Sequence, residues 1–283
     1  QKCCYGKQAQ SQKEACQKTE EEIVAKKKKY NVKRVVVLSD IQAPSHDARA
    51  ITALQDFVYD FEPDELYCVG DEADSPEPSR WNRGLAGEYA KTLQSGLDKT
   101  SEIMEGFKDV LGDKPFHTMR SNHGDRIDKY IRKYAPALAS LRALEYEELL
   151  RYSELDITYH NKIWQFAPGW ALAHGDEGSL LQTAGGTALN LARRIGLSVV
   201  CGHTHRQGIQ HHHVGYNGRI SSRLFGVEAG HLMDLNKADY LRTGSANWQQ
   251  GFTVLYIRRS NVVPVNVPII GRSFTVEGKV YEW

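Results

Sequence analysis

The sequence predicts an α/β domain, and three observations carry that prediction. Short apolar runs such as Val35-Val36-Val37-Leu38, Glu65-Leu66-Tyr67-Cys68-Val69 and Ser198–Cys201 have the length and β-branched content of buried strands. Helix-period stretches separate them. Each run then stops at a polar cluster, the place where layered α/β folds build ligand sites. A length of 283 residues suits one large domain of this kind or two small ones. No Gly/Ser-rich linker and no internal repeat divides the chain, so the sequence reads as one domain over residues 34–283 behind a charged leader over residues 1–33.

In chain order, the buried strand at 35–38 gives way to Ser39-Asp40-Ile41-Gln42 and then to a helix near Ala48–Val58. The strand at 65–69 stops at Gly70-Asp71-Glu72-Ala73-Asp74. A Pro-containing loop leads into a long helical pattern over roughly residues 85–111. A short strand near Phe116–Met119 ends at Arg120-Ser121-Asn122-His123-Gly124-Asp125, and a helical stretch over about 125–150 follows. Ile163–Phe166 and Trp170–Ala173 form a predicted hairpin around Pro168-Gly169, stopping at His174-Gly175-Asp176. A helix near Ala184–Ile195 feeds the strand Ser198–Cys201, which stops at Gly202-His203-Thr204-His205. Alternating patterns at Phe252–Ile257 and Val262–Val267 predict closing strands.

Composition excludes several classes. Hydrophobic and charged fractions of 41% and 25% are ordinary for a globular protein and rule out collagen-like, mucin-like and wholly disordered chains. No run approaches the roughly 18 apolar residues of a membrane span. Charge is uneven. Residues 1–34 hold nine Lys and one Arg against four Glu, a net +6, which leaves 26 basic and 31 acidic residues beyond them, a net −5. The leader reads as a solvated helix, Glu22 and Lys26 having the supporting spacing, or as an electrostatic tether to nucleic acid or a partner. The acidic body argues against a broad duplex-binding groove. Five cysteines in no zinc-ribbon spacing, with Cys68 and Cys201 inside apolar runs, read as reduced thiols. Together with the lack of an apolar signal segment, they predict a cytoplasmic protein.

Five polar clusters carry the chemistry: Asp40/Gln42, Asp71/Asp74, Asn122/His123, His174 and His203/His205. Their Asp, Asn, Gln and His donors, without cysteine, suit Mn²⁺, Fe, Zn²⁺ or Co²⁺. His203 and His205, two apart on a strand, are expected to point the same way. By the same alternation His211-His212-His213 cannot all face one ligand, and that run reads as structural.

In this order the clusters resemble the blocks of the calcineurin-like metallophosphoesterase superfamily: Asp-x-His, Gly-Asp-x-x-Asp, Gly-Asn-His-Asp/Glu, a lone His, and Gly-His-x-His. The resemblance implies a four-layer α/β/β/α sandwich with a two-metal site. It implies one metal on Asp40, Gln42, Asp71 and His205, and the other on Asp71, Asn122, His174 and His203, with Asp71 bridging. It further implies a bridging hydroxide as nucleophile and His123 as proton donor or charge stabiliser, with Arg126 or Arg120 on a phosphate oxygen. His46 and Asp47 read as supporting or merely polar loop residues.

Two departures stand out. Gln42 replaces the usual His, which predicts weaker occupancy and a shift toward Mn²⁺ or Mg²⁺, with Fe or Zn²⁺ as further choices. This Gln form is associated with phage-encoded and bacterial members. Ser121 replaces a Gly and Gly124 is inserted before Asp125, which leaves Asp125 or Asp74 to orient His123. The implied function is a metal-dependent hydrolase of phosphate esters, with a phosphodiester preferred and a nucleotide or nucleic acid as the wider substrate class. A nuclease of the superfamily and a non-catalytic scaffold are the alternatives. No membrane partner is implied.

Overall fold

A computed structural model describes residues 32–237 and 246–283. The leader predicted over residues 1–33 lies almost wholly outside the described residues, as do Cys3, Cys4 and Cys16.

Two sheets form the centre. β1 (Lys33–Leu38), β2 (Glu65–Cys68), β3 (Phe116–Met119) and β4 (Ile157–His160) run parallel. β10 (Gly251–Arg258) and β11 (Asn261–Pro268) extend this sheet antiparallel, in the order β11-β10-β1-β2-β3-β4. The second sheet has the order β5-β6-β7-β9-β8. It contains β5 (Trp164–Ala167), β6 (Trp170–Leu172), β7 (Ser198–Cys201), β8 (Gln207–Tyr216) and β9 (Arg219–Ala229). A small hairpin of β12 (Ser273–Val276) and β13 (Lys279–Glu282) follows.

The alternation within β1 explains the layering. Val35 and Val37 point between the sheets, where they meet Tyr67, Leu172, Val200 and Val227. Val36 and Leu38 point the other way, onto Leu54 and Phe57 of α1 (Ala48–Phe61) and Met104 and Phe107 of α2 (Leu93–Leu111). On the far side of the second sheet, Val199 and Cys201 pack against Ala188, Leu191 and Ala192 of α5 (Gly186–Ile195). Strands buried on both faces read as continuous apolar runs. The result is the predicted α/β/β/α sandwich, and Cys68 and Cys201 are buried free thiols within it. No described helix is long and apolar enough to cross a membrane.

Two helical stretches are shorter than the sequence pattern predicts. The 85–111 pattern holds only a short 3-10 turn at Ala86–Tyr89, a break at Lys91 with φ 60°, and then α2. The 125–150 stretch stops as a regular helix after α3 (Asp125–Tyr134), because Pro136 cannot continue its hydrogen bonding, and goes on as 3-10 turns at Pro136–Leu138 and Arg142–Leu144 and the single turn α4 (Tyr146–Leu149). Asp47 caps α1, accepting from the Arg49 and Ala50 amides, and so has a structural role.

The second sheet and α5 approach closely at Gly226. A Cβ there would lie 2.1 Å from the Leu189 nitrogen and 2.4 Å from its Cα, both rigid backbone atoms. Gly226→Ala is therefore expected to lower the melting temperature by about 5–10 °C, the scale of an overpacked core position in a domain of this size. Circular dichroism melts check this; an unchanged midpoint would mean that α5 does not seat on β9 in this way.

Candidate metal centre

The carboxyl ends of β1, β2, β3, β6 and β7 converge, and the five polar clusters meet there. Asp40 follows β1 by two residues and Asp71 follows β2 by three. Both carboxylates are almost completely buried, at 0% and 1% exposure. Asp40, Gln42, Asp71, His203 and His205 all have left-handed backbone, with φ between 49° and 66°. Non-glycine residues adopt this conformation at a cost, and such outliers cluster at functional sites. The turns re-aim side chains that regular strands would have sent to either face of a sheet.

His203 and His205 show this directly. They lie beyond β7 in a loop, so strand alternation does not apply, and they do not point together. His203 stands beside His174, with ring centroids 5.0 Å apart. His205 Nε2 instead lies 3.2 Å from Asp40 Oδ1 and 3.1 Å from Gln42 Nε2. Gly202 permits the turn: a Cβ would sit 1.9 Å from Ser39 Oγ and 2.4 Å from Asp40 Oδ2. The His203 amide donates to Asp40 Oδ2 at 2.9 Å, which ties the second sheet to the first. Ser39 Oγ bonds the same oxygen.

The residues form two adjoining groups. In the first, Asp71, His174 and His203 offer ligand atoms all within 4.8 Å of one another. Asn122 joins them, its Oδ1 lying 2.8 Å from His174 Nε2. His174 Nδ1 donates to the Val69 carbonyl at 2.8 Å, which fixes the ring so that Nε2 faces Asp71 at 3.4 Å. A backbone acceptor on the far nitrogen is the usual support of a metal-binding imidazole. In the second group, Asp40 Oδ1 and Gln42 Oε1 are buried acceptors without a hydrogen-bond partner. His205 Nε2 lies between the Gln42 amide nitrogen, at 3.1 Å, and Asp40 Oδ1, at 3.2 Å. Buried oxygens without hydrogen-bond partners beside an imidazole suit a cation. The donor sets fit divalent metal in both groups.

The electrostatics agree. Burial alone would raise the pKa of Asp71, but the neighbouring imidazoles of His123, His174 and His203 and a hydrogen bond from His174 hold it well below the carboxylate range. Burial likewise opposes ionisation of Asp40, and His205 outweighs it. Burial disfavours a proton on His174, but Asp71 and Asp40, helped by the Val69 carbonyl, push its pKa up to about 10. His203 is lowered by burial and by the neighbouring His174.

His123 stands at the rim. Its amide donates to Asp71 Oδ1 at 3.1 Å, and its Nε2 lies 3.7 Å from Asp71 Oδ2. Its Nδ1 is 3.1 Å from Asp74 Oδ1, a charge contact without hydrogen-bond alignment. Asp74 thus takes the orienting place, while Asp125 is held by Arg120 and Lys129. Arg126 binds the Asp74 carbonyl and carboxylate and donates from Nη2 to His123 Nε2 at 2.7 Å. Arg120 clamps Asp125 and Asp176 and is structural.

Several supporting residues carried no signal in the sequence. Glu228, buried on β9, accepts from Thr204 Oγ1 at 2.9 Å and from the Thr187 amide at 2.9 Å, which anchors the His203–His205 turn to the start of α5. The Glu177 carboxylate accepts from the His174 and Gly175 amides. His231 is wholly buried, 5.6 Å from the His205 ring. Burial and His205 push its pKa down to about 4. Its Nδ1 accepts from the Met233 amide, so the neutral ring carries its hydrogen on Nε2. A Gly-His pair just past a strand, Gly230-His231, was the available signal.

The fold and this cluster define a four-layer α/β/β/α protein with a centre able to hold metal at its strand ends. No family model matches the chain. It is 37% identical over 253 residues to the "Gene 54 protein" of Mycobacterium phage D29, covering 88% of this chain and 99% of that protein. The phage L5 "Gene 54 protein" is 36% identical over 254 residues with the same coverage. The chain belongs to the family of these mycobacteriophage gene 54 proteins. Solved structures with likeness include Vacuolar Protein Sorting 29 from Cryptosporidium parvum, at 13% identity and TM-score 0.43, covering 88% of this chain and 94% of that one. Another is Vps29 complexed with zinc from Entamoeba histolytica, at 13% identity and TM-score 0.41, covering 87% and 95%.

A cation on His174 Nε2 must displace the proton that the metal-free site holds below a pKa of about 10. The metal-free form therefore binds more protons than the loaded form, and affinity rises with pH across neutrality. Calorimetric titration with Mn²⁺ at pH 8, in buffers of different ionisation enthalpy, is expected to show about one proton released at this group. Apparent affinity should fall by up to ~tenfold per pH unit below that range. A pH-independent affinity without proton release would remove His174 from the ligand set.

Proposed function

We propose that this protein is a calcineurin-like metallophosphoesterase that hydrolyses phosphate esters, with phosphodiesters preferred. The observation that carries the reading is a pair of buried carboxylates, Asp40 and Asp71, each faced by imidazole, with the rim histidine His123 beside Asp71. Asp40, Gln42, Asp71 and His205 would hold one divalent cation, and Asp71, Asn122, His174 and His203 a second. Mn²⁺ is the first choice, with Mg²⁺, Fe or Zn²⁺ next. Such a pair supplies a hydroxide nucleophile at neutral pH and neutralises charge on phosphoryl oxygens. The activity belongs to residues 34–283, with the basic leader outside it.

The protein's own groups have definite tasks in this reading. Asp71 would serve both cations, and its negative charge would offset their repulsion. His123 protonates the departing oxygen. In the substrate-free arrangement Arg126 donates to His123 Nε2, so that nitrogen has a lone pair and no proton to give. A phosphate oxygen is the stronger acceptor for a guanidinium. Substrate binding would draw Arg126 away and leave Nε2 free to take up a proton, with Asp74 still facing Nδ1. Arg126 then both binds substrate and prepares the acid.

The test is turnover of bis-p-nitrophenyl phosphate and p-nitrophenyl phosphate by the Mn²⁺-loaded protein. The diester is expected to be cleaved faster. Asp71→Asn should lose at least ~100-fold, and His123→Ala a comparable factor while metal content stays at the parent level. Full activity in Asp71→Asn would refute the site, and loss of metal in His123→Ala would make that residue a ligand. A monoester preference would turn the reading to a phosphatase.

Gln42→His examines the metal argument separately. A neutral amide oxygen is the weaker ligand for Zn²⁺, so the substitution is expected to tighten Zn²⁺ by about tenfold or more in a competition titration with a chromogenic chelator. Unchanged affinity would mean that residue 42 faces away from the cation.

A further inference from the structure

Among the described residues, a second charge feature lies away from the metal centre. Between Glu177 and Glu228 the sequence contains no Asp or Glu, although the chain has 35 of them. Five arginines fall in that interval: Arg193, Arg194, Arg206, Arg219 and Arg223. Much of it is the β8–β9 hairpin, whose outer half leaves the body of the sandwich. β7 pairs with β9 only from Val199↔Gly226 to Cys201↔Glu228. Beyond Phe225 the two strands pair solely with each other, down to Tyr216↔Arg219 and the turn at Asn217-Gly218. An isolated two-stranded ribbon is marginal by itself, and exposed strand edges invite unwanted pairing.

What the ribbon displays is specific. Arg219 and Arg223 are exposed, and neither has an ion-pair partner among the described residues. Arg223 stands opposite His213, and Arg219 opposite Tyr216, which is 76% exposed. At the base, Arg193 of α5 donates to His212, so a third cation borders the same ribbon. A bulge at Val214/Gly215 adds twist. Arg219, Arg223 and Tyr216 thus share a narrow, acid-free element of a body that is net acidic.

We propose that the β8–β9 ribbon is a docking arm for duplex nucleic acid, binding the phosphate backbone through Arg219 and Arg223 with the ribbon tip in a groove. The major groove admits a two-stranded ribbon, and phosphate contacts need cations without competing carboxylates. The strand direction places the tip at the opposite edge from the metal centre, about 30 Å away at ~3.3 Å per residue from Ala229 to Arg219. A ligand spanning both must be a polymer, so the arm deepens the phosphodiesterase reading toward nucleic acid, while its binding does not require the metal centre.

The experiment is fluorescence anisotropy of a labelled 20-base-pair duplex with the full chain in EDTA, from low to physiological KCl. The basic leader also attracts DNA, so the readout is the difference between the parent and Arg219→Gln/Arg223→Gln. The double variant is expected to bind at least about tenfold more weakly at low salt, and the slope of log affinity against log salt should shrink by about 2. Its melting temperature and its bis-p-nitrophenyl phosphate turnover should match the parent, which separates failure of the arm from failure of the hydrolase reading. Equal affinity and slope for the two proteins would overturn the proposal. So would equally tight competition by polyglutamate, which would make the partner an acidic protein. A parent dimer that the double variant loses in sedimentation, without change in DNA binding, would make the ribbon a self-association element and likewise overturn it.

Discussion

Two carboxylates held out of water, Asp40 and Asp71, set the terms for everything around them. An ionised carboxylate in a protein interior is costly unless charges and hydrogen bonds surround it. Here the compensation comes across the gap between the sheets. The second sheet sends the His203 amide and the His205 ring to Asp40, and His174 to Asp71 and to the Val69 carbonyl. These contacts staple the sandwich along one edge, so the spacing of the sheets and the geometry of the site are one property. The staple is still incomplete. His174 in its charged form offsets one of two negative charges, and Asp40 Oδ1 and Gln42 Oε1 remain without a hydrogen-bond donor. Cations are what would complete it.

The same constraint explains which features could be read from sequence. Strands buried on both faces appear as continuous apolar runs, so β1, β2, β3 and β7 were legible, and the polar clusters at their ends marked the edge where the site forms. The residues that fix the ligands were not legible. Glu228 lies inside a strand and Glu177 in a loop, and only the folded chain brings them to the His203–His205 turn and the His174 amide. His203 and His205 were paired on strand geometry that ends at Cys201; the left-handed turns beyond it split them between the two groups. Helices 85–111 and 125–150 were overextended because apolar periodicity continues through segments where backbone conformation, at Lys91 and Pro136, breaks hydrogen bonding.

The β8–β9 ribbon escaped for a different reason. Its outer half buries little and so lacks the alternation that marks a half-buried strand. Its clearest local sign was Asn217-Gly218, whose φ values of 49° and 73° are those of a two-residue hairpin turn. The run His211-His212-His213 reads as structural, because three consecutive strand residues cannot face one ligand. In the structure His211 packs against Phe225 while His212 meets Arg193, so the three rings divide between two faces as a strand requires.

Charge along the chain follows this architecture. The edge that gathers Asp40, Asp71, Asp74 and Asp176 concentrates negative potential where cations would sit. The interval from Glu177 to Glu228 contributes imidazoles to that edge and Arg219 and Arg223 to the ribbon, but no carboxylate between. A carboxylate on the ribbon would neutralise Arg219 or Arg223 at short range, and one on the His203–His205 turn would compete with Asp40 and Asp71 for metal. The two buried or loop carboxylates that bound the interval, Glu177 and Glu228, are themselves consumed by backbone amides and Thr204. They act through hydrogen bonds that position the His203–His205 turn and the His174 amide.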